Sequence, residues 1–219
     1  MDLLIYGASS QAKESYDIVV RNYPEKYDNI YFIDDFVEEG SHFYNSSTIH
    51  YESIRKMYES APGEVEGIVS VGEPLNREKL TIKLEEAGIK LATIIDKTSI
   101  VSPSAIIGAG SIICEYSVVH ANANIGKGVL VQSFCAIGHD IQIGDYSVVS
   151  AGFLPGGGCV IGKCVFAGMN VTIKEKTNIG DNVIMGMGAA VFSDLPPFST
   201  AVGNPARITR GNDDHKVYR

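Results

Sequence analysis

From Val101 to Val191 the chain carries a large aliphatic side chain at every sixth position, with only Pro155 and Ala167 interrupting an Ile/Val/Met column. Sixteen such hexads run to about Pro196 without an insertion. The next residue is glycine nine times, at 108, 126, 138, 144, 156, 162, 168, 180 and 186. The fifth position is small or apolar, as in Ser111, Ser117, Ala123, Val129, Cys135, Ile141 and Ser147. A helix repeats near 3.6 residues and a strand near 2, so neither accounts for a period of six. A parallel β-helix does, each hexad being a short strand and a corner, with the aliphatic inward and glycine where the backbone turns. Three hexads close an 18-residue coil, and coils stack about 4.8 Å apart through ladder hydrogen bonds.

Upstream the pattern changes to alternating strands and helices. Leu3-Leu4-Ile5-Tyr6 reads as a buried strand, Gly7 to Ser10 as a small-residue turn, and Gln11 to Arg21 as a helix. Ile30 to Ile33 is a second strand ending in Asp34-Asp35, and Glu38 to Ser47 a polar loop. A helix is expected from Tyr51 to Ser60, stopped by Pro62-Gly63; a strand over Ile68 to Val71; and a helix over Leu75 to Glu86, capped by Gly88. Leu91 to Ile95 returns to the sheet. The expected fold is therefore a Rossmann-like α/β domain over residues 1–96, followed by a β-helix domain over 97–219. Pro196-Pro197 is expected to end regular structure, with a turn at Gly203 to Arg207 and a poorly ordered tail from Gly211.

Composition narrows the function classes. The net charge is −8 with no basic cluster, which argues against a nucleic-acid or anionic-membrane surface. No apolar run approaches 18 residues and Met1-Asp2-Leu3-Leu4 is unlike a signal peptide, so a cytoplasmic location is expected. The four cysteines all lie in the repeat, with Cys135 and Cys159 in the small inward column, so they read as buried free thiols.

Two places invite chemistry. The first is the βα turn after the first strand. Only Gly7 is glycine there, so the three-glycine dinucleotide fingerprint is absent, and a different nucleotide at the strand ends is the better reading. The second is His139-Asp140, the acid–base pair inside the repeat, on a corner where Asp140 can hold one ring nitrogen and leave the other as a base. One coil further on, Gly156-Gly157-Gly158 removes every side chain beside it. The remaining histidines, 42, 50, 120 and 215, do not stack with His139, so a three-histidine zinc site is not expected.

The opening Tyr6-Gly7-Ala8-Ser9, Asp34-Asp35, the hexads, Gly138-His139-Asp140 and Gly203-Asn204-Pro205-Ala206 give the chain a specific resemblance. It resembles the left-handed β-helix acetyltransferases of nucleotide-linked amino sugars, such as the bacillosamine and perosamine N-acetyltransferases, and is similar to the sialic acid O-acetyltransferases. The resemblance implies acetyl-CoA as co-substrate, no metal, and a UDP- or related 4-amino-4,6-dideoxy sugar as acceptor. It implies His139 as general base and Asp140 as the acid that raises its basicity. It places Ser9, Ser10, Gln11, Asp34 and Asp35 on the sugar nucleotide, and Val148, Gly157, Met169 and Met187 along the acetyl-CoA path. It also implies a homotrimer with sites between neighbouring prisms. The chain departs from the family's usual Gly-His-Gly at Ser10-Gln11-Ala12, from its second histidine at Val148 and from its asparagine at Gln132. The alternatives are an O-acetyltransferase of a sialic acid or related sugar, and a sugar-nucleotide-binding protein without catalysis.

Overall fold

The computed structural model describes residues 1–58 and 64–217. Strand β1 (Asp2–Tyr6) is followed by α1 (Ser10–Asn22), β2 (Ile30–Ile33), β3 (His42–Phe43), β4 (Ser46–Ile49), α2 (Tyr51–Tyr58), β5 (Val65–Val69), α3 (Pro74–Glu86) and β6 (Lys90–Leu91). The strands lie in the order β3-β4-β2-β1-β5-β6, parallel except for the β3–β4 hairpin. That hairpin occupies the stretch expected to be a polar loop. Its strands are too short to register as an alternating pattern, yet Thr48 is buried and pairs β4 onto β2. The continuation of α2 toward Ser60, and the stop at Pro62-Gly63, lie outside the described residues.

Strand β1 is apolar at consecutive positions because both of its faces are covered. Leu3 and Ile5 join Ala12, Ile18 and Val19 of α1 on one side, while Leu4 and Tyr6 join Ile54 and Leu84 on the other. Gly7 ends the strand at φ +115°, where a Cβ would sit 2.8 Å from Val71, so only glycine fits this turn.

Two-residue strands β7 to β23 then recur every six residues, from Ile94–Ile95 to Ala190–Val191. Pairing joins each residue to the one 18 positions on, as in Ile112 with Leu130 and Leu130 with Val148. The interior is filled by both predicted columns, including Ile113, Val119, Ile125 and Ile137 with Ala123, Val129, Cys135 and Phe153. All four cysteines are buried and free.

The three faces differ. On the first, outward Ile112, Leu130 and Val148 are buried in one cluster with α1, so the N-terminal domain covers this face. The second face carries exposed Ile100 and Leu154 and falls into two three-stranded ladders, β8 to β14 and β17 to β23. The break follows from Pro155, which has no N–H to donate to the strand below. The third face is mostly polar, with Asn124, Gln142 and Asn178 pointing outward.

Three expectations about boundaries are corrected. Ile94–Ile95, read as a return to the α/β sheet, pairs with Ile112–Ile113 and starts the prism. Pro196-Pro197 does not end regular structure: β24 (Ser199–Val202) extends the first face and β25 (Arg207–Gly211) pairs antiparallel to it. The tail from Gly211 is tied down at Asn212, which is 3% exposed and donates to the Asn182 carbonyl at 2.8 Å. The last coil would otherwise leave an open ladder edge, and these residues cover it.

Asp96 fastens the two domains together. Its carboxylate is wholly buried and accepts from Arg21 and Asn22 at the end of α1, and from Thr98. Burial pushes its pKa up, but the bonds from Thr98, Asn22 and Arg21 outweigh this and hold it well below the usual carboxylate range. A depressed folded pKa adds stability that is present above the unfolded value, about 3.9, and is lost as pH falls through the folded one. Unfolding free energy should therefore drop below about pH 4, and Asp96→Asn should flatten that limb in a pH series of urea melts.

Candidate active site

His139 and Asp140 occupy the corner between the second and third faces. The left-handed backbone at Asp140, φ 55°, turns the chain so that its carboxylate folds back beside the preceding ring. His139 Nδ1 lies 2.7 Å from Asp140 Oδ2. The bonds from His139 and then Asn122 hold the Asp140 carboxyl below its ordinary range, so it stays ionised near neutral pH. A carboxylate on Nδ1 keeps the proton there and leaves the Nε2 lone pair outward. Both side chains are exposed, 70% and 57%, so the imidazole is open to a ligand.

The three glycines above the pair have separate causes. A Cβ on Gly156 would meet the Glu175 backbone nitrogen at 2.5 Å, which is a matter of coil stacking. Gly158 turns the corner at φ +69°. Gly157 has neither cause: its Cβ would lie 2.5 Å from His139 Nε2 and 2.6 Å from Cε1. This glycine therefore accommodates the imidazole itself. Gly157→Ala should displace the exposed ring without disturbing the coil. Turnover is expected to fall about tenfold or more, with the melting temperature nearly unchanged, because a displacement of about 1 Å in a reacting group costs on that order.

A second site lies outside the carboxyl ends of β1, β2 and β5, where open α/β sheets hold ligands. It is a cleft of about 440 Å³ lined by Tyr6 to Ser9, Asp34 to Phe36, Asn76, Lys79 and Lys83 among others. Ser9 precedes α1, makes no side-chain cap and lines the cleft, so the helix N-terminus lies at its edge. Asp35 is engaged from three sides, by the Tyr51 N–H at 2.7 Å, Tyr6 Oη at 3.0 Å and Lys83 Nζ at 3.2 Å. Burial raises its pKa, but these bonds together hold it below the ordinary value. Asp34 spends one oxygen on the Phe36 N–H, and Phe36 is 99% exposed at the rim.

The comparisons bear on both sites at once. Residues 2–84 match the model of the PglD N-terminal domain. The acetyltransferase domain of PglB from Neisseria gonorrhoeae, solved with acetyl coenzyme A, superposes with a TM-score of 0.86 at 28% identity, covering 95% of this chain and 98% of that one. Together these matches support a left-handed β-helix sugar acetyltransferase. PerB from Caulobacter crescentus, solved with CoA and GDP-perosamine, shares the fold at a TM-score of 0.87 and 23% identity, over 96% of this chain and 98% of that one. Among curated proteins, a chloramphenicol acetyltransferase of Agrobacterium fabrum is 32% identical over 73 residues, 33% of this chain and 35% of its own length. The chain thus spans about a third of the curated relatives it matches.

For a sugar acetyltransferase, the residues expected at the site fall into three groups. His139, Asp140 and Gly157 come together at one corner. Ser9, Asp34 and Asp35 line the α/β cleft, with exposed Ser10 beginning α1 beside it. Gln11 does not face that cleft: it is 9% exposed beneath the N-terminal domain, where its Oε1 accepts from Gln132 Nε2 at 2.9 Å. Val148 is 1% exposed in the cluster with α1, so it offers no surface to a cofactor. Met169 and Met187 are exposed and stack at the corner between the first and second faces, away from His139 in the same chain. Sequence reasoning missed Lys79 and Lys83, whose spacing of four along α3 places both on one helix face. It also missed Asn122, 18 residues below Asp140.

Among the described residues no helix is long and apolar enough to cross a membrane, and no group of three or more His, Cys, Asp or Glu side chains forms a metal-sized cluster.

Proposed function

We propose that this chain transfers the acetyl group of acetyl-CoA to the amine of a nucleotide-linked amino sugar in the cytoplasm, with His139 as general base. The observation that carries this reading is the His139–Asp140 pair on an open corner, with Nε2 directed beneath the side-chain-free Gly157. The same chain holds a separate cleft suited to a nucleotide at the strand ends.

The step needs a neutral amine and a polarised thioester. His139 Nε2 removes a proton from the sugar nitrogen as that nitrogen forms a bond to the acetyl carbonyl carbon. The tetrahedral oxyanion collapses, the carbon–sulfur bond breaks, and the imidazolium returns its proton to the departing CoA thiolate. Asp140 stabilises the imidazolium meanwhile and keeps the ring oriented. In the α/β cleft, the N-terminal end of α1 with Ser9 suits the diphosphate, Lys79 and Lys83 add positive charge, and Asp34 keeps a carboxylate oxygen for ribose or base. The amino-sugar class is supported by PerB, of the same fold, which was solved with CoA and GDP-perosamine.

The decisive assay offers UDP-, GDP- and dTDP-linked 4-amino sugars and the corresponding 4-hydroxy sugars, with acetyl-CoA, and follows a mass gain on the acceptor. A gain confined to the hydroxy series would replace this reading with O-acetylation. Acetyl-CoA consumption with no sugar at all would remove it.

Met169 and Met187 serve the same reaction only if a second copy supplies them. The exposed Ile100 and Leu154 face lies between their corner and that of His139. Three prisms presenting that face to a shared axis bring one chain's His139 corner against the next chain's methionine corner. The expected assembly is a trimer of about 71 kDa, three chains of 23.6 kDa, by light scattering. A stable monomer at micromolar concentration would remove the shared site.

A further inference from the structure

Asp140 divides its two oxygens between two partners. Oδ2 meets His139 Nδ1 at 2.7 Å, and Oδ1 accepts from Asn122 Nδ2 at 3.0 Å. Asn122 stands one coil below at the same corner position, and its own N–H is held by Ser104 Oγ at 3.0 Å in the coil beneath. The Asp140 N–H donates to the Ala121 carbonyl at 2.9 Å, which fixes the backbone between the two side chains. Above Asp140 the column continues as Gly158, so no side chain from that coil competes for the carboxylate.

We propose that Asn122 is a positioning residue for the base, fixing the rotation of the Asp140 carboxylate so that Oδ2 stays on His139 Nδ1. The need for such a residue follows from exposure. A carboxylate that is 57% exposed on a corner otherwise turns freely and shares its oxygens with water. An imidazole whose neighbour wanders populates both tautomers, and only the Nδ1–H form presents Nε2 as a base. A hydrogen bond to the second oxygen removes this freedom, as outer partners of functional imidazoles do elsewhere. The proposal rests on His139 being the base of the reaction proposed above.

Asn122 also has a plainer explanation. Its φ is 58°, and asparagine tolerates the left-handed region better than most residues; Asn170 and Asn182 occupy corners at 57° and 56°. The two explanations part on substitution. Asn122→Gly keeps the left-handed corner without steric strain and removes only the amide. Asn122→Asp keeps the shape, but replaces the donor with an acceptor and sets a like charge against Asp140.

The test uses the full-length protein and two readouts. Nitrogen-15 NMR of the His139 ring follows its tautomer and titration without any acceptor, while steady-state kinetics with an active amino-sugar acceptor give kcat and KM. For Asn122→Gly the expected result is a mixture of ring tautomers in place of Nδ1–H, with kcat lower by about tenfold and KM and melting temperature unchanged. Asn122→Asp should fall further and displace the acid limb of the kcat–pH profile to higher pH, because Asp140 then binds a proton more readily. Both variants retaining the Nδ1–H tautomer and full kcat would overturn the proposal. A tautomer shift in a protein that acetylates none of the acceptors would uphold the positioning role and count instead against the acetyl-transfer reading.

Discussion

His139→Ala is expected to lower kcat by about 10²–10⁴-fold, the usual contribution of a positioned general base, with little change in acetyl-CoA affinity. The change should leave the fold alone. The ring is 70% exposed, and its one side-chain hydrogen bond is to the equally surface-bound Asp140. Removing it makes no cavity and strands no buried polar group, so a melting curve should overlay that of the parent. Asp140→Asn should cost less, since it removes charge and orientation but leaves a base, and asparagine tolerates the φ of 55° at that corner. The two effects should not add, because Asp140 acts only through the imidazole. An enzyme lacking His139 that still turns over near the parent rate would make the residue an ordinary exposed corner histidine. The acetyl transfer would then need another base.

The prism was legible because each coil repeats the same demand: two inward columns, pairing every 18 residues and a turn at each corner. The Ile113 and Val119 column and the Ser111 and Ser117 column are both buried as the period implies. The same period placed Gly157 over His139, although it implied spare room where the structure has the imidazole in the space a Cβ would need. What period could not give was anything that depends on the two domains meeting. The resemblance placed Gln11 and Val148 at a ligand, but both are buried where α1 meets the first face. Asp35 reads from sequence as a free acid after a strand, and only the fold shows Tyr6, Tyr51 and Lys83 converging on it. The β3–β4 hairpin and the C-terminal β24–β25 pair escaped because their strands are short or follow prolines, and tertiary pairing rather than pattern defines them.

The largest loss of stability is expected from Arg77→Ala. Arg77 is wholly buried on α3, and burial pushes its pKa down to about 9, so the guanidinium remains charged at neutral pH. Its Nε donates to the Gly128 carbonyl of the prism at 2.8 Å, and its Nη1 to the carbonyls of Val69 and Val71 at 2.9 and 3.0 Å. One side chain thus satisfies the end of β5, the loop after it and a left-handed corner of the β-helix. Alanine would leave three carbonyls without that donor at the junction, together with the volume of the lost side chain. Unsatisfied buried carbonyls and the cavity together cost about 3–5 kcal/mol. In a chain of this length that corresponds to a fall in melting temperature of roughly 6–20 °C. Arg77→Met separates the contributions: it restores most of the volume, so it should recover part of the loss but not all, because the carbonyls stay unsatisfied. Differential scanning calorimetry of the two variants reads both effects. If Arg77→Ala melts within about 2 °C of the parent, the junction is held by the apolar cluster around α1, and Arg77 is only tolerated there.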